Sequence, residues 1–549
     1  MAHRLTTKVT RRTLLGGAAT GVASLAVGGA LRGSAAAVMA QATPAARKSG
    51  GNLVFAESDE PPTLDIHKTA FSTAEVLAGS ILDRLVYLNP ETGKFDPALA
   101  TSWETTPDGL NWTFKLRTDV VFQDGTPFNA QAVKRNFDRI MDPKTASGRS
   151  AALLGGALLK SIEAPDDTTI KLSYSQPLGP LLSGLNTSFC GIFSPAALDK
   201  YGDDIGQNPV GSGPFQFKSW EKGKGITLTP FAKYNWAPTA WGASGPPVVD
   251  SFVWRGITEA TTRMVALQRD EAQIVRVPFA NFKDAKNGDF QVLQLNNPGM
   301  PQAIYQNTTK PPLDDKNVRL AVAHAIDRDA VIGSPFLGGA VWAEYAPLTK
   351  GVLGYDPDLA KRVGVLFDLD KSKALLDEAG WKAGGDGMRS KDGQPLTLKL
   401  ITTSGGGDTA QVTQLLLQAA GIKTEITQLD SAAWKKAVSG GEHHLTWRAD
   451  TGTDPDILYL AVHSSAIGAT NYVRAKNDEL DGLLDKGRTT VDADARVPIY
   501  QKAQEIILGE GYIIPVYNSV RVFAMQPYVK GVQFNALAGV IPYGGWLDK

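Results

Sequence analysis

Cysteine is almost missing from this chain, with Cys190 the single example in 549 residues. No intramolecular disulfide is possible, so cysteine usage carries no sign of the redox compartment, and the lone thiol reads as a small buried hydrophobe. An excess of charge is missing too. Lys+Arg and Asp+Glu both number 56 and no basic run is visible, so nothing points to nucleic acid. Histidine is scarce, and His443 and His444 are adjacent. On a strand they would face opposite ways, so they read as exposed polar residues rather than ligands of one metal. No Walker-type loop, dinucleotide fingerprint, G-x-S-x-G elbow or H-E-x-x-H motif occurs, which removes the enzyme classes that depend on them. Paired-carboxylate catalysis leaves no local signature and stays open on this ground alone. Beyond Gly50 no stretch is apolar enough and long enough to span a bilayer.

The N-terminus does carry a pattern. Arg11 and Arg12 precede a Gly/Ala-rich apolar stretch from Gly16 to Leu31, and A-x-A patterns follow at Ala35–Ala37 and Ala40–Ala42. This is the layout of a twin-arginine secretory signal over residues 1–42. A membrane anchor is the competing reading, weakened by the glycines. The mature chain is then expected outside the cytoplasm, in the periplasm or at the outer face of the cytoplasmic membrane.

The rest of the chain mixes strand and helix patterns, and its length fits about three or four domain-sized units. Trp112, Phe114 and Leu116 alternate as one face of a strand, and so do Leu396, Leu398 and Leu400 behind an Asp392-Gly393 turn. Val318, Ala321, Val322, Ala325 and Ile326 have helical spacing. A second helix is expected to start at an Asp370 cap and stop at Gly380. A third follows Asp408, with Val412, Leu415, Leu416 and Ala419 on its apolar face, and ends at Gly421. Ile422, Thr424 and Ile426 alternate again, so residues 396–427 read as a βαβ unit in an α/β protein. Its loop, Thr402–Gly407 with Ser404, lies where open α/β sheets bind ligands, or is an ordinary surface loop. Asp450, Asp454 and Asp456 cluster in WRADTGTDPD. The pattern suits a solvated turn best, and a calcium loop or an acidic clamp less well.

Several long segments resemble the extracellular solute-binding proteins of family 5, which serve peptide and nickel importers. They are LVYLNPETGKFDPALATSWETTPDGLNWTFKLR (85–117), VVFQDGTPFNAQAVKRNFDRI (121–140), PVGSGPFQFKSWEKG (209–223), VRLAVAHAIDRDAVI (318–332) and LLDEAGW (375–381). The resemblance covers nearly all of residues 50–549. It implies the large periplasmic-binding-protein fold, an α/β protein of two lobes with a hinge and an extra subdomain in lobe 1. Lobe 1 would comprise residues 50–302 with the subdomain at about 80–205, lobe 2 residues 303–510, and residues 511–549 would return to lobe 1. Hinge crossings are expected near Ile304–Asn307 and Tyr512–Pro515. Gly211 and Gly213 are expected in a tight turn near the hinge.

The resemblance further implies the substrate-binding component of an ABC importer. It would be a monomeric, non-catalytic receptor without cofactor or metal, closing on a small solute, peptide favoured, and handing it to a membrane permease. A metal chelate or oligosaccharide is the alternative solute, and a secreted hydrolase the remote one. In peptide-binding members a Trp followed three residues later by Asp lines the cleft, and the Asp meets the peptide's α-amino group. Here that pattern is Trp447 and Asp450, with one residue more before the following Asp-Pro-Asp than dipeptide receptors have. Trp434 resembles a cleft aromatic, Thr69 and Phe71 occupy the place of a lobe 1 pocket loop, and Arg448 is placed to reach a ligand carboxylate.

Overall fold

A computed structural model describes residues 47–242, 245–333 and 341–549. The arginine-pair leader and its cleavage zone lie outside the described residues. Among those residues no helix is long and apolar enough to cross a membrane.

The strands of three sheets are numbered along the chain. The first are β1 (Asn52–Glu57), β2 (Ala100–Thr105), β3 (Asn111–Leu116), β4 (Leu159–Asp166), β5 (Thr169–Tyr174) and β6 (Phe215–Glu221). Then come β7 (Gly225–Pro230), β8 (Ser251–Gly256), β9 (Ile274–Val277), β10 (Gln291–Asn296), β11 (Gly299–Gln306) and β12 (Trp342–Ala343). The last are β13 (Thr397–Thr403), β14 (Lys423–Leu429), β15 (Leu445–Thr451), β16 (Ile513–Asn518) and β17 (Val520–Met525). A seven-stranded sheet has the order β10-β17-β9-β1-β8-β7-β6, and a six-stranded sheet the order β12-β16-β11-β15-β13-β14. A smaller four-stranded sheet runs β2-β3-β5-β4. Both large sheets mix parallel and antiparallel pairs and are covered on both faces by apolar clusters, the arrangement that α/β patterning predicts.

The expected βαβ unit is present as β13, the helix Gly407–Ala419 and β14, with β13 and β14 parallel. Asp392 and Gly393 both take positive φ between two short antiparallel strands, the geometry of a tight hairpin turn. Three local expectations need correcting. The cap of the helix Leu369–Glu378 is Asp368, whose carboxylate accepts from the Lys371 amide, so Asp370 lies in the first turn. On Gly407–Ala419 the buried residues include Ala410, Thr413 and Leu417, while Leu415 is 65% exposed. Of the expected apolar face, Val412 and Leu416 pack at the edge of the core, while Leu415 and Ala419 are exposed. Gly211 and Gly213 do not need positive φ; a Cβ would lie 2.3 Å from the Ile81 carbonyl oxygen at Gly211 and 2.6 Å from the Ile81 carbonyl carbon at Gly213. They permit backbone to touch backbone.

The chain passes from the seven- to the six-stranded sheet between Asn296 and Gly299, and back between Asn518 and Val520. The crossings that the resemblance implied at Ile304–Asn307 and Tyr512–Pro515 fall mostly inside β11 and β16, which both belong to the six-stranded sheet.

The two adjacent histidines are not exposed. His443 is fully buried and hydrogen-bonds through Nε2 to the Tyr472 carbonyl oxygen, and His444 bridges the Lys399 amide and the Pro311 carbonyl. Each is used by the backbone, and among the described residues no side-chain cluster suited to a metal occurs. Burial holds His443 down at about pKa 4, and His67 likewise at about 4, with Arg139 adding to the effect. Burial pushes Asp83 up to about 6 and Glu344 up to about 7.

These groups titrate in opposite senses. A histidine whose folded pKa lies below its unfolded value contributes stability above pH 6.5 that is lost as pH falls towards 4. A carboxyl with a raised folded pKa contributes stability at low pH that is lost as pH rises through 6 or 7. The effects oppose each other between about pH 4 and 6.5, so the intact protein should show a shallow pH profile there. His443→Gln removes one acid-sensitive group, and its stability relative to the parent should improve by about 2 kcal/mol between pH 7 and pH 5. Unfolding midpoints at the two pH values check this; a relative loss at pH 5 would contradict the neutral, buried state of His443.

Candidate functional site

Two adjoining cavities lie along the cleft face of the seven-stranded sheet. The larger is about 740 Å³ and is walled by Glu57, Phe71, Arg276, Phe279, Arg521 and Phe523 among others. The second, about 450 Å³, takes one wall from the same side (Glu75, Arg149, Arg521) and the other from Asp450, Thr451 and Asp454, at and after the end of β15. Ser72, Val76 and Arg521 line both. The second cavity is therefore bounded by groups attached to both large sheets, the place between lobes where small-molecule sites commonly form.

Asp450 reaches this cleft because β15 pairs with β11 in a register that sets Asp450 opposite Met300 at the strand's end. Its carboxylate is held by Arg448, with Nη2 donating to Oδ1 at 2.9 Å and Nε 2.6 Å from Oδ2. The Nε contact is short but badly angled, and Oδ2 is buried without a hydrogen bond. Burial raises the Asp450 pKa and Arg448 opposes that rise. The site thus holds a carboxylate whose Oδ2 has an ionic contact but no hydrogen bond, beside a cation with further partners: Arg448 also donates to the Thr470 carbonyl and lies over the Tyr472 ring at 4.6 Å.

The other two aspartates of the cluster are fixed differently. Arg496 grips Asp454 bidentately at 2.6 and 2.8 Å, and Arg488 grips Asp456 at 2.8 and 2.9 Å. Ser183, from the side of the four-stranded sheet, also donates to Asp454 Oδ2 at 3.1 Å. The run is neither a solvated turn nor a calcium loop; Asp454 and Asp456 are pinned to the helices Asp478–Thr489 and Ala493–Gly509.

The remaining expected residues divide as follows. Phe71 is 62% exposed and lines the larger cavity. Thr69 is buried and its Oγ1 accepts from the Phe71 amide, so it shapes the loop. Trp447 is 6% exposed, packs against Tyr517 and leaves its indole N–H buried without a partner. Trp434 donates to Thr446 Oγ1 and stands edge-on to Tyr472. Ser404 sits on an exposed turn and lines neither cavity. The structure thus brings Asp450 and Phe71 to the cleft. Thr69 and Arg448 stand one layer behind them, and Trp434, Trp447 and Ser404 do not line it.

Sequence reading missed Glu75, Arg149, Arg276 and Arg521. No local motif marks them, because they meet only through the pairing of β9 with β17 and the packing of the helix Ser72–Ala78.

Comparison with known proteins agrees with this geometry. The family model for bacterial extracellular solute-binding proteins, family 5, matches residues 94–469. The glutathione-binding protein GsiB of Escherichia coli K12 is 31% identical over 502 residues, covering 88% of this chain and 91% of the relative. Among solved structures, the ABC transporter-associated periplasmic binding protein DppA of Helicobacter pylori, in complex with the peptide STSA, superposes with a TM-score of 0.70 at 29% identity, covering 91% of this chain and 99% of its own. The binding protein AgaA of A. tumefaciens R10, in complex with agropinic acid, gives a TM-score of 0.66 at 28% identity, covering 89% and 98%.

Two α/β sheets joined by two short crossings, with a cleft lined by groups from both, define a two-lobed binding protein of the periplasmic type. The chain belongs to the bacterial extracellular solute-binding proteins of family 5. It is the solute-capturing component of an ABC importer, which works outside the cytoplasm with a membrane permease.

Proposed function

We propose that the protein captures a peptide-type solute between its lobes, with Asp450 meeting the solute's ammonium group, and that no bond is made or broken. The observation that carries this reading is the Asp450 carboxylate on the wall of a cleft bounded by both sheets, its Oδ2 in ionic contact with Arg448 but making no hydrogen bond. A ligand ammonium there would offset the desolvation of the carboxylate, as the carboxylate would that of the ammonium. The relatives named for glutathione and crystallised with a peptide support the same class of solute.

Lobe 1 is assigned to the residues carrying the seven-stranded sheet, 50–298 and 519–549, with a subdomain at about 80–205, and lobe 2 to residues 299–518, so the boundaries expected at 302/303 and 510/511 move to the crossings between the sheets. The residues between β10 and β11 and between β16 and β17 act as the hinge. Closure brings the loop after β15 onto the wall built by Arg521 and the helix Ser72–Ala78, and the permease reads the closed form. The receptor acts as a monomer and is exported by its twin-arginine leader.

Denaturing release from the purified protein, followed by mass spectrometry of the small molecules set free, tests the solute class. A molecule with a free amino group and peptide bonds is expected. A sugar or an amine-free metal chelate would overturn the Asp450 assignment.

A further inference from the structure

The larger cavity contains a charge arrangement that the ammonium clamp does not use. Glu57, Arg276, Arg521 and Phe523 all lie on its wall, and the strand register explains why. Arg276 is paired with Phe523 across β9 and β17, and Arg521 stands two residues from Phe523 on the same strand. Side chains two apart on a strand share a face, so both guanidinium groups project from the same side of the sheet. The opposite side carries Val275, Val277, Val520, Val522 and Ala524 in an apolar core. Phe55 and Ile274 are partners across β1 and β9, which puts Glu57 on the cationic face as well.

Neither guanidinium is neutralised by a direct contact. Among the described residues, Arg276 and Arg521 have no carboxylate within 4.0 Å, and neither guanidinium donates a hydrogen bond. Arg276 lies over the Phe523 ring at 5.3 Å, with Nη1 buried and unpartnered. Glu57 acts on both arginines and Glu75 on Arg521, neither in direct contact; Glu57 accepts from the amide and hydroxyl of its own neighbour Ser58, and Glu75 is shared with Arg84 and Arg149. Other charges on this wall are already occupied. Glu60 accepts from Trp220 and Gly223, and Arg263 donates to the backbone carbonyls of Ile257, Thr258 and Arg276. Burial lowers the pKa of Arg276 to about 10 and also lowers that of Arg521, so Glu57 and Glu75 do not compensate the pair fully.

Two desolvated guanidiniums on one sheet face are costly without a directly paired anion, and a planar anion is their natural partner, since guanidinium donors match carboxylate oxygens two by two. We propose that Arg276 and Arg521 form a carboxylate subsite on the cleft face of the seven-stranded sheet, so that the solute carries a carboxylate on the lobe opposite Asp450. This rests on the reading of the cleft as a solute site. It makes the solute an amino acid derivative or short peptide with a charge at each end, held across the two lobes. The carboxylate is either the C-terminal one or an acidic side chain.

Calorimetry on the ligand-stripped protein tests this with trialanine, trialanine amide, Ala-Glu-Ala amide, glutathione and glutathione dimethyl ester. The parent protein should bind acids and reject the doubly blocked ester. A preference for trialanine over both amides places the C-terminal carboxylate in the subsite. A preference for Ala-Glu-Ala amide over trialanine amide places an acidic side chain there. Arg276→Gln and Arg521→Gln should each weaken the bound acid by at least about 30-fold while leaving the melting temperature unchanged or raised, since each removes an unpaired buried charge. A structural role would instead lower the melting temperature and affect acids and esters alike. If esters and amides bind as tightly as acids, or the variants bind unchanged, the carboxylate subsite is wrong and the cleft reading stands. If the parent protein binds none of the probes, the reading of the cleft as a peptide site fails and the subsite fails with it.

Discussion

Replacing Arg496 by alanine is expected to destabilise the protein by about 3–5 kcal/mol, the cost of leaving a buried charge without its partner. Arg496 is buried, and its guanidinium closes a ring of contacts to both Asp454 oxygens, the Gly487 carbonyl and the Tyr500 hydroxyl. Its removal strands Asp454 in the wall of the second cavity. Arg362→Ala provides the contrast. That residue is about half exposed and its pairs with Asp356 and Glu505 lie near the surface, so the loss should be within about 1 kcal/mol. Thermal unfolding of the two variants side by side gives the comparison. Equal losses would mean that the loop after β15 is not held by its arginines. Replacing Arg496 and Asp454 together by apolar residues of similar size should recover most of the stability, because the stranded carboxylate goes with its partner.

The second large effect is on binding. Asp450→Ala is expected to weaken a solute with a free amino group by about 2–5 kcal/mol. The variant also leaves Arg448 without its carboxylate, so a fall in melting temperature is expected too and does not identify the clamp. The separation comes from blocking the solute. Acetylating the amino group should cost the parent protein heavily and the variant little, because the interaction being removed is already absent. Asp450→Asn sharpens this further: it keeps the shape and the hydrogen bond to Arg448 while removing the charge that an ammonium needs. If acetylation costs parent and variant equally, Asp450 serves Arg448 alone.

Much of the architecture could be read from the chain. The βαβ unit around Gly407–Ala419 announced itself through alternation, helical spacing and a terminal glycine, all local signals. The motifs from Leu85 to Arg117 and from Val318 to Ile332 pointed to the family that the comparison confirms. What escaped was whatever depends on partners distant in sequence. Asp454 and Asp456 look like a polar turn until Arg488 and Arg496 arrive from helices more than 30 residues on. His443 looks like a surface residue until the Tyr472 carbonyl is found above it. Arg276 and Arg521 lie in different thirds of the chain, and only the register of β9 against β17 makes them neighbours. From sequence Arg448 is a candidate to reach a ligand carboxylate; the structure ties it to Asp450, two residues away on the same face of β15.

The pinned loop after β15 gives the cleft one rigid wall, and the sheet face around Arg276 gives it the other. Both walls are held by contacts within the protein itself, which limits the ordering cost of binding. The two crossings between the sheets are each only a few residues long, which suits them to the proposed hinge role.

The most direct measurement is calorimetric titration of the ligand-stripped protein with short peptides bearing free ends, repeated with the amino end acetylated. The account predicts one-to-one binding that is strongly weakened by acetylation. Binding of equal strength with and without the free amino group, or no binding of any peptide, would contradict it.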